Sequence, residues 1–216
     1  MMDKFESCGY RTVGQGSERM KLLCIGDSLT FGFGVRPSQR WTELAAQRSG
    51  WQIINEGLSG DTSGGMLVRL HEMLRSGKLA DRPQVLMMGG SNDIFFSGSD
   101  LCARSNLGTM LHTLLAVGIR PFVGIPLPVG AQKVPPAWKG AVDFEAASKT
   151  LMDYCDWLMH FCACFGADVI DFHADFLTAD GAVRAELLSD GLHPTAEGHR
   201  IMAERLLREL ARHRLV

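Results

Sequence analysis

The chain has 216 residues, which is long enough for a sizeable hydrophobic core. Hydrophobic residues make up 46% and charged residues 21%, a composition typical of a globular protein and not of a disordered or collagen-like one. With 22 Lys and Arg against 24 Asp and Glu, the formal net charge is −2, which excludes the basic surface of a nucleic-acid-binding protein.

The amino-terminal segment 1–19 is predicted to be a flexible extension preceding a single domain at 20–216. Residues 1–16 are polar and lack the apolar core of a signal peptide. No stretch approaches the roughly 20 apolar residues of a membrane helix. We therefore expect a cytoplasmic protein with no membrane insertion, whose six cysteines are reduced. A metal site is not expected, because Cys155 and Cys162 fall on an apolar helix stripe.

Short apolar runs alternate along the chain with longer stretches of helical periodicity. Strands are predicted at 22–25, 51–55, 85–88, 121–125 and 168–172. Helices are predicted at 37–48, 63–77, 100–117, 143–165 and 194–212. This alternation is typical of βαβ units, so it predicts an α/β fold with a parallel sheet covered on both faces.

The loops that follow the strands are the first place to look for function, because parallel sheets bind ligands at the carboxyl ends of their strands. Four such loops are rich in small and polar residues: 26–30, 55–63, 89–93 and, further past the last strand, 189–194. Together they supply a serine hydroxyl, glycine amides, a side-chain amide, a carboxylate and an imidazole. That set is the inventory of a serine hydrolase.

Each of these groups has a chemical role in acyl transfer. The Ser28 hydroxyl needs a base, and His193 is the usual kind. Asp190 lies three residues before His193, so a turn can bring its carboxylate onto the far ring nitrogen. The amides of Ser28 and Gly60, with the Asn92 side chain, suit an oxyanion. Taken singly, each residue is more often a turn, cap or surface residue; only together do they favour a catalytic site.

Four sequence blocks resemble those of the SGNH (GDSL) hydrolase family: Gly26-Asp27-Ser28-Leu29, Gly60, Gly90-Ser91-Asn92-Asp93 and Asp190-x-x-His193-Pro194. The resemblance extends over about residues 21–212. Ser59-Gly60-Asp61-Thr62-Ser63 and Leu127-Pro128 further resemble the thioesterase I/lysophospholipase/arylesterase branch of that family.

The resemblance implies a fold and a set of roles. The fold would be a three-layer α/β/α sandwich with a five-stranded parallel sheet in the flavodoxin-like order 2-1-3-4-5. Ser28 would be the nucleophile, His193 the base and then the acid, and Asp190 the residue that orients it. Ser28, Gly60 and Asn92 would form the oxyanion hole. No metal and no organic cofactor are implied.

The expected function is hydrolysis of carboxylic esters or thioesters of small-to-medium acyl groups through a Ser28 acyl-enzyme. Substrate-pocket candidates are Asp27, Phe95, Phe96, Pro128 and Trp138. The two phenylalanines equally fit core packing. Trp138 belongs to the proline-rich segment 126–140, which is interpreted as a surface loop or a flap over the acyl group.

Two other functions stay open at this point. A carbohydrate acetylesterase would use the same catalytic machinery on acetylated sugars. A non-catalytic module that binds acyl ligands would keep the fold and lose turnover, although all five site residues are present. The expected partner is a small acyl ester or thioester, and assembly into a homo-oligomer is also open.

Overall fold

The structure is a computed structural model that describes residues 20–213. The predicted extension at 1–19 and the last three residues, 214–216, lie outside the described residues.

The described residues form one five-stranded sheet. Its strands are β1 (Lys21–Gly26), β2 (Gln52–Gly57), β3 (Gln84–Met88), β4 (Phe122–Ile125) and β5 (Asp168–Asp171). Every neighbouring pair is parallel, and the order is β2-β1-β3-β4-β5. This confirms the predicted α/β class and the order implied by the family resemblance. Residues 22–25 of β1 are fully buried, as expected for a central strand with helices on both faces.

Helices cover both faces of the sheet. They are α1 (Ser28–Phe31), α2 (Trp41–Ser49), α3 (Ser63–Arg75), α4 (Ser91–Ser97), α5 (Leu101–Ala116), α6 (Pro136–Lys139), α7 (Phe144–Phe165) and α8 (Ala196–Arg212). Successive strand residues point to opposite faces. Leu23 therefore packs in a cluster with α3, α5 and α7, whereas Leu22 packs with α2 and α8. The result is the expected three-layer sandwich.

Two helix starts differ from the sequence prediction by more than one residue. The helix predicted from residue 37 begins at Trp41, because Arg40 is extended (φ −67°, ψ 140°) and Pro37–Gln39 form a separate 3₁₀ turn. The last helix begins at Ala196 and not at 194. Its N-cap is Thr195, whose side chain accepts a hydrogen bond from the Gly198 amide.

The short helices α1 and α4 were expected to be loops. Each begins directly after a strand and carries residues of the first and third sequence blocks. Four to seven residues are too few for a helical apolar pattern to show in the sequence.

The proline-rich segment 126–140 is exposed only in its second part. Residues 126–130 are buried, as is Val134, whereas residues 136–140 are exposed. The Gly130 amide donates to the Gly191 carbonyl (2.8 Å), which joins this segment to the loop that carries His193. The segment therefore forms a wall of the molecule before it reaches α6.

Candidate active site

Ser28 stands at the carboxyl end of the central strand β1, on the first residue of α1. Asp27 is the N-cap of that helix, and its Oδ1 accepts a hydrogen bond from the Leu29 amide (2.9 Å). The turn packs closely on β2: a Cβ added at Gly57 would lie 2.1 Å from the Phe31 nitrogen. Any side chain at Gly57 would therefore push α1, and the Ser28 hydroxyl with it, out of place.

Three side chains form a continuous hydrogen-bonded relay. The Ser28 Oγ lies 2.9 Å from His193 Nε2, and His193 Nδ1 lies 2.8 Å from Asp190 Oδ2. Because the carboxylate only accepts, Nδ1 carries the ring proton, and Nε2 is left to accept from the serine hydroxyl. This is the arrangement in which a histidine can remove the proton of a serine.

The loop that carries Asp190 and His193 is a closed turn. The Ser189 amide donates to the His193 carbonyl (2.8 Å). Gly191 has a φ of 84°, and a Cβ there would lie 2.6 Å from the Gly130 carbonyl oxygen, so only glycine fits. The sequence spacing of three residues thus becomes a fixed contact between the carboxylate and the ring.

Hydrogen bonds keep Asp190 ionised. Partial burial of the carboxyl raises its pKa, but the hydrogen bonds from the His193 side chain and amide, together with the Leu192 amide, outweigh that effect and lower the pKa to about 2. The Asp190 Oδ1 accepts from the two amides at 3.0 Å and 2.8 Å. The carboxylate is therefore charged throughout the neutral pH range.

Asn92 is hydrogen-bonded to the loop after β2, which contains Gly60. The Asn92 Nδ2 donates to the carbonyl of Asp61, the residue after Gly60 (2.8 Å). Gly60 has a φ of 78°, and no atom lies within 4 Å of where its Cβ would be. Asn92 lines the same cavity as Ser28. One amide hydrogen of Asn92 is thus used to fix its orientation, and the other is available.

An arginine that the sequence analysis did not single out ties this loop to the sheet. Arg69 of α3 donates to the Asp61 carboxylate (2.9 Å and 2.6 Å) and to the carbonyls of Glu56 (2.6 Å) and Gly26 (2.9 Å). It therefore joins the ends of β1 and β2 to the turn that holds Gly60. No sequence signal identified it, since an arginine on an amphipathic helix is usually solvated.

Asp93 of the third block braces α4 against α3. Its carboxylate accepts from the Ser63 amide (2.8 Å) and from the Ser63 hydroxyl (2.6 Å). The Asn106 side chain donates to the same hydroxyl (2.9 Å). Asp93 therefore positions its neighbour Asn92 and does not face the serine relay.

A cavity of about 50 Å³ opens beside the Ser28 hydroxyl. It is lined by Asp27, Ser28, Leu29, Ser91, Asn92, Phe95, Leu127, Pro128, Val129, Leu192 and His193. Three of the five pocket candidates, Asp27, Phe95 and Pro128, thus lie on its wall.

The other two pocket candidates lie elsewhere. Phe96 is 68% exposed, and Trp138 of α6 is 38% exposed; neither is among the residues that line the cavity. Neighbouring residues of a helix point about 100° apart, so Phe95 and Phe96 do not share a face. Phe95, on the cavity wall, also contacts the Phe144 ring, with centroids 5.5 Å apart.

Asp27 is the one cavity residue with a strongly raised pKa. Burial of its side chain, which is 1% exposed, raises the pKa to about 6, although the Leu29 amide and His193 act in the opposite direction. It therefore changes charge within the range in which the histidine base of a hydrolase works.

No three His, Cys, Asp or Glu side chains are grouped to hold a metal ion within residues 20–213. Among the cysteines, burial raises the pKa of Cys155 far above its ordinary value and that of Cys162 to about 11, so both are unreactive thiols. In the same part of the chain, no helix has the length and apolar character needed to cross a membrane.

Comparison with known proteins points to one family. Residues 24–201 match the model of the GDSL-like lipase/acylhydrolase family. The chain is 28% identical over 185 residues to esterase TesA of Pseudomonas aeruginosa, an alignment that covers 83% of this chain and 82% of the relative.

Solved structures share the fold at low identity. A putative lipolytic protein of the G-D-S-L family from Desulfitobacterium hafniense is 23% identical, with a TM-score of 0.70 over 88% of this chain and 99% of that one. A carbohydrate acetylesterase family member from Sinorhizobium meliloti is 18% identical, with a TM-score of 0.71 over 90% and 98%. Because the family model matches most of the chain, from within β1 to within α8, this protein belongs to the GDSL-like lipase/acylhydrolase family and is an esterase-type hydrolase.

Proposed function

We propose that this chain is a serine esterase or thioesterase that releases small acyl groups through a covalent acyl-enzyme on Ser28. The observation that carries the proposal is the relay in which Ser28 Oγ, the His193 ring and the Asp190 carboxylate are joined by contacts of 2.9 Å and 2.8 Å. A serine is a poor nucleophile until a base takes its proton, and this geometry supplies the base.

The first half of the reaction forms the acyl-enzyme. The Ser28 Oγ attacks the acyl carbon while His193 Nε2 takes the hydroxyl proton, which gives a tetrahedral intermediate with a charged oxygen. Asp190 stabilises the imidazolium and keeps Nδ1 protonated. When the intermediate collapses, His193 returns the proton to the leaving alcohol or thiol.

The second half releases the acid. Water takes the place of the leaving group, gives its proton to His193 Nε2 and attacks the acyl carbon; collapse then restores the Ser28 hydroxyl. In both halves the oxyanion would be held by the amides of Ser28 and Gly60 and by the Asn92 Nδ2. Donors fixed before the reaction stabilise the developing charge without reorganisation, and the bond from Asn92 to the Asp61 carbonyl supplies such fixation.

The size of the cavity supports a short acyl group. Its volume is about 50 Å³, and a cavity needs roughly 10–15 Å³ to hold one water molecule. An acyl group of a few heavy atoms fits that space, against the apolar side chains of Leu29, Phe95 and Leu127.

The same small cavity favours a second candidate, a carbohydrate acetylesterase. An acetyl group is among the smallest acyl groups, and the structurally similar protein from Sinorhizobium meliloti is described as a carbohydrate acetylesterase family member. The two candidates differ in the leaving group and share the Ser28 acyl-enzyme.

The test is hydrolysis of p-nitrophenyl acetate, butyrate, octanoate and palmitate, a butyryl thioester and an acetylated xylo-oligosaccharide. The wild-type chain is compared with Ser28→Ala and with Ser105→Ala, an exposed serine of α5. We expect Ser28→Ala to lose at least about 10³-fold in kcat, and Ser105→Ala to match the wild type.

The substrate profile then decides between the candidates. Highest kcat/KM on acetate and butyrate esters or on the thioester supports the main proposal. Turnover confined to the acetylated sugar supports the alternative. A Ser28→Ala variant as active as the wild type would rule out the acyl-enzyme in both.

A further inference from the structure

An aromatic ring that the proposed mechanism does not use lies against the histidine of the relay. The centroids of the Phe33 and His193 rings are 4.6 Å apart, and their planes are tilted by 44°. The His193 side chain is 14% exposed, while Phe33 is 44% exposed. The phenylalanine thus stands between one side of the imidazole and the solvent.

The turn that presents Phe33 is the turn that carries Ser28. The amides of Gly32 and Phe33 both donate to the Ser28 carbonyl, at 3.0 Å and 3.1 Å. Gly32 and Gly34, on either side of Phe33, each have a φ of 82°, a conformation that side chains rarely adopt. The backbone therefore fixes Phe33 relative to Ser28, so the ring and the hydroxyl hold His193 from two directions.

The face of an aromatic ring attracts a cation whose centre lies within about 6 Å of the ring centroid. During the reaction His193 becomes a cation when it takes the proton of Ser28, at the tetrahedral intermediate. An interaction stronger in that state than in the resting enzyme accelerates the chemical step.

We propose that Phe33 is a positioning residue, which holds the His193 ring against Ser28 and stabilises the imidazolium that forms during acyl transfer. The inference rests on the proposed function, since it needs His193 to act as the base. It applies to every acyl group alike, because Phe33 is not among the residues that line the acyl cavity.

Other charged or titratable groups also act on His193. Asp190 bonds its Nδ1, Asp27 attracts it from the start of α1, and His199 of α8 interacts with it electrostatically. All three stay in place when only Phe33 is changed. A difference between Phe33 variants therefore isolates the contribution of the ring.

The experiment compares Phe33→Leu, which removes the aromatic face while keeping an apolar side chain, with Phe33→Tyr, which retains the ring. The control is Phe165→Leu. Phe165, at the end of α7, is 45% exposed and also contacts a histidine ring, that of His112, at 4.7 Å. It therefore matches Phe33 in exposure and in contacting a histidine ring at a similar distance, outside the serine relay, although the two rings meet edge-on at 83°.

The readout is kcat and KM on p-nitrophenyl butyrate from pH 4.5 to 9. For Phe33→Leu we expect kcat to fall about 5- to 20-fold with KM within twofold of the wild type. The acid limb of the kcat/KM profile should move to lower pH by about 0.5–1 unit, because the imidazolium loses a stabilising partner. Phe33→Tyr and Phe165→Leu should follow the wild-type curve.

Other outcomes would overturn the inference. A Phe33→Leu variant with wild-type kcat, or one whose rate falls without movement of the acid limb, would leave Phe33 with a packing role only. A change confined to KM would make it a substrate contact. These failures differ from failure of the proposed function, in which Ser28→Ala itself would keep its activity.

Discussion

The two carboxylate oxygens of Asp190 accept hydrogen bonds from different groups of the loop that carries His193. One accepts from the imidazole Nδ1, and the other accepts from the amides of Leu192 and His193. The first contact sets the tautomer of the ring, and the second fixes the carboxylate to the backbone of its own loop. The group therefore needs both a negative charge and two acceptor atoms.

Asp190→Asn keeps the shape of the side chain and removes the charge. The amide can present its NH₂ group to Nδ1, which favours the tautomer that has no free Nε2 lone pair for Ser28. We expect kcat on p-nitrophenyl acetate at pH 7 to fall by about 10³- to 10⁴-fold. A loss below 10-fold, in a variant with the wild-type circular dichroism spectrum, would show that His193 does not depend on this carboxylate.

The sequence singled out the three side chains that the structure joins by hydrogen bonds, and it missed residues that contact them. Ser28, Asp190 and His193 occur in short motifs whose chemistry can be read from residue type and spacing. Phe33 was not among the candidates, and its contact with His193 joins residues 160 positions apart. Such contacts depend on the packed fold, which residue order along the chain does not specify.

At the scale of elements, the site depends on how the ends of β1 and β2 are kept together with the loop before α3. Arg69 makes that connection through the Asp61 carboxylate and the carbonyls of Glu56 and Gly26. The Asp61 side chain is only 10% exposed, so removal of the guanidinium leaves a largely buried charge without this partner and takes one donor from each of the two carbonyls.

Arg69→Gln is expected to reduce the free energy of unfolding by about 2–4 kcal/mol. Because the loop then loosens around Gly60 and Asn92, kcat should also fall by at least about 10-fold, with a smaller change in KM. Urea unfolding and steady-state kinetics check the two effects.

Arg200→Gln is the control for Arg69→Gln. The exposed guanidinium of Arg200 on α8 pairs with Glu197 and Glu204, and such solvent-exposed pairs contribute little to stability. If Arg69→Gln has the same free energy of unfolding and the same kcat as Arg200→Gln, the contacts of Arg69 do not support the site.

The elements themselves were predicted unevenly, for a physical reason. The strands and the long helices have apolar patterns that the sequence shows, so their places along the chain were found. The short helices α1 and α4 are set by capping and by tertiary contacts, such as the Asp93 carboxylate on Ser63, and they were expected to be loops. The strand order came from the family resemblance, because alternation of strands and helices is compatible with several orders.

At the scale of the whole molecule, two buried titratable groups near the site act on stability in opposite directions. Burial raises the pKa of Asp27 to about 6, from an ordinary value of 3.8. Burial, helped by the charges of Arg40 and His193, lowers the pKa of His199 to about 4, from 6.5. Both shifts disfavour the charged form in the folded state.

Asp27 and His199 make the free energy of unfolding change in opposite directions as the pH falls. For Asp27 the folded state binds the proton more tightly, so stability rises as the pH falls from about 6 to 3.8. For His199 the unfolded state binds the proton more tightly, so stability is lost as the pH falls from 6.5 to about 4. Each shift of about two units corresponds to about 3 kcal/mol, so the contributions nearly cancel in that window.

Asp27→Asn should remove the Asp27 contribution to the pH dependence of stability and leave that of His199 unbalanced. The asparagine can still accept from the Leu29 amide, and it carries no charge to bury. We expect the variant to be more stable than the wild type at pH 7–8 by about 3 kcal/mol, with the difference vanishing towards pH 4. Urea unfolding at pH 4, 5, 6, 7 and 8 measures this difference, with Asp153→Asn, an exposed carboxyl on α7, as the control. If the free energies of unfolding of Asp27→Asn and the wild type differed by the same amount at every pH, Asp27 would titrate near its ordinary value. The carboxyl beside Ser28 would then be ionised at little cost in stability.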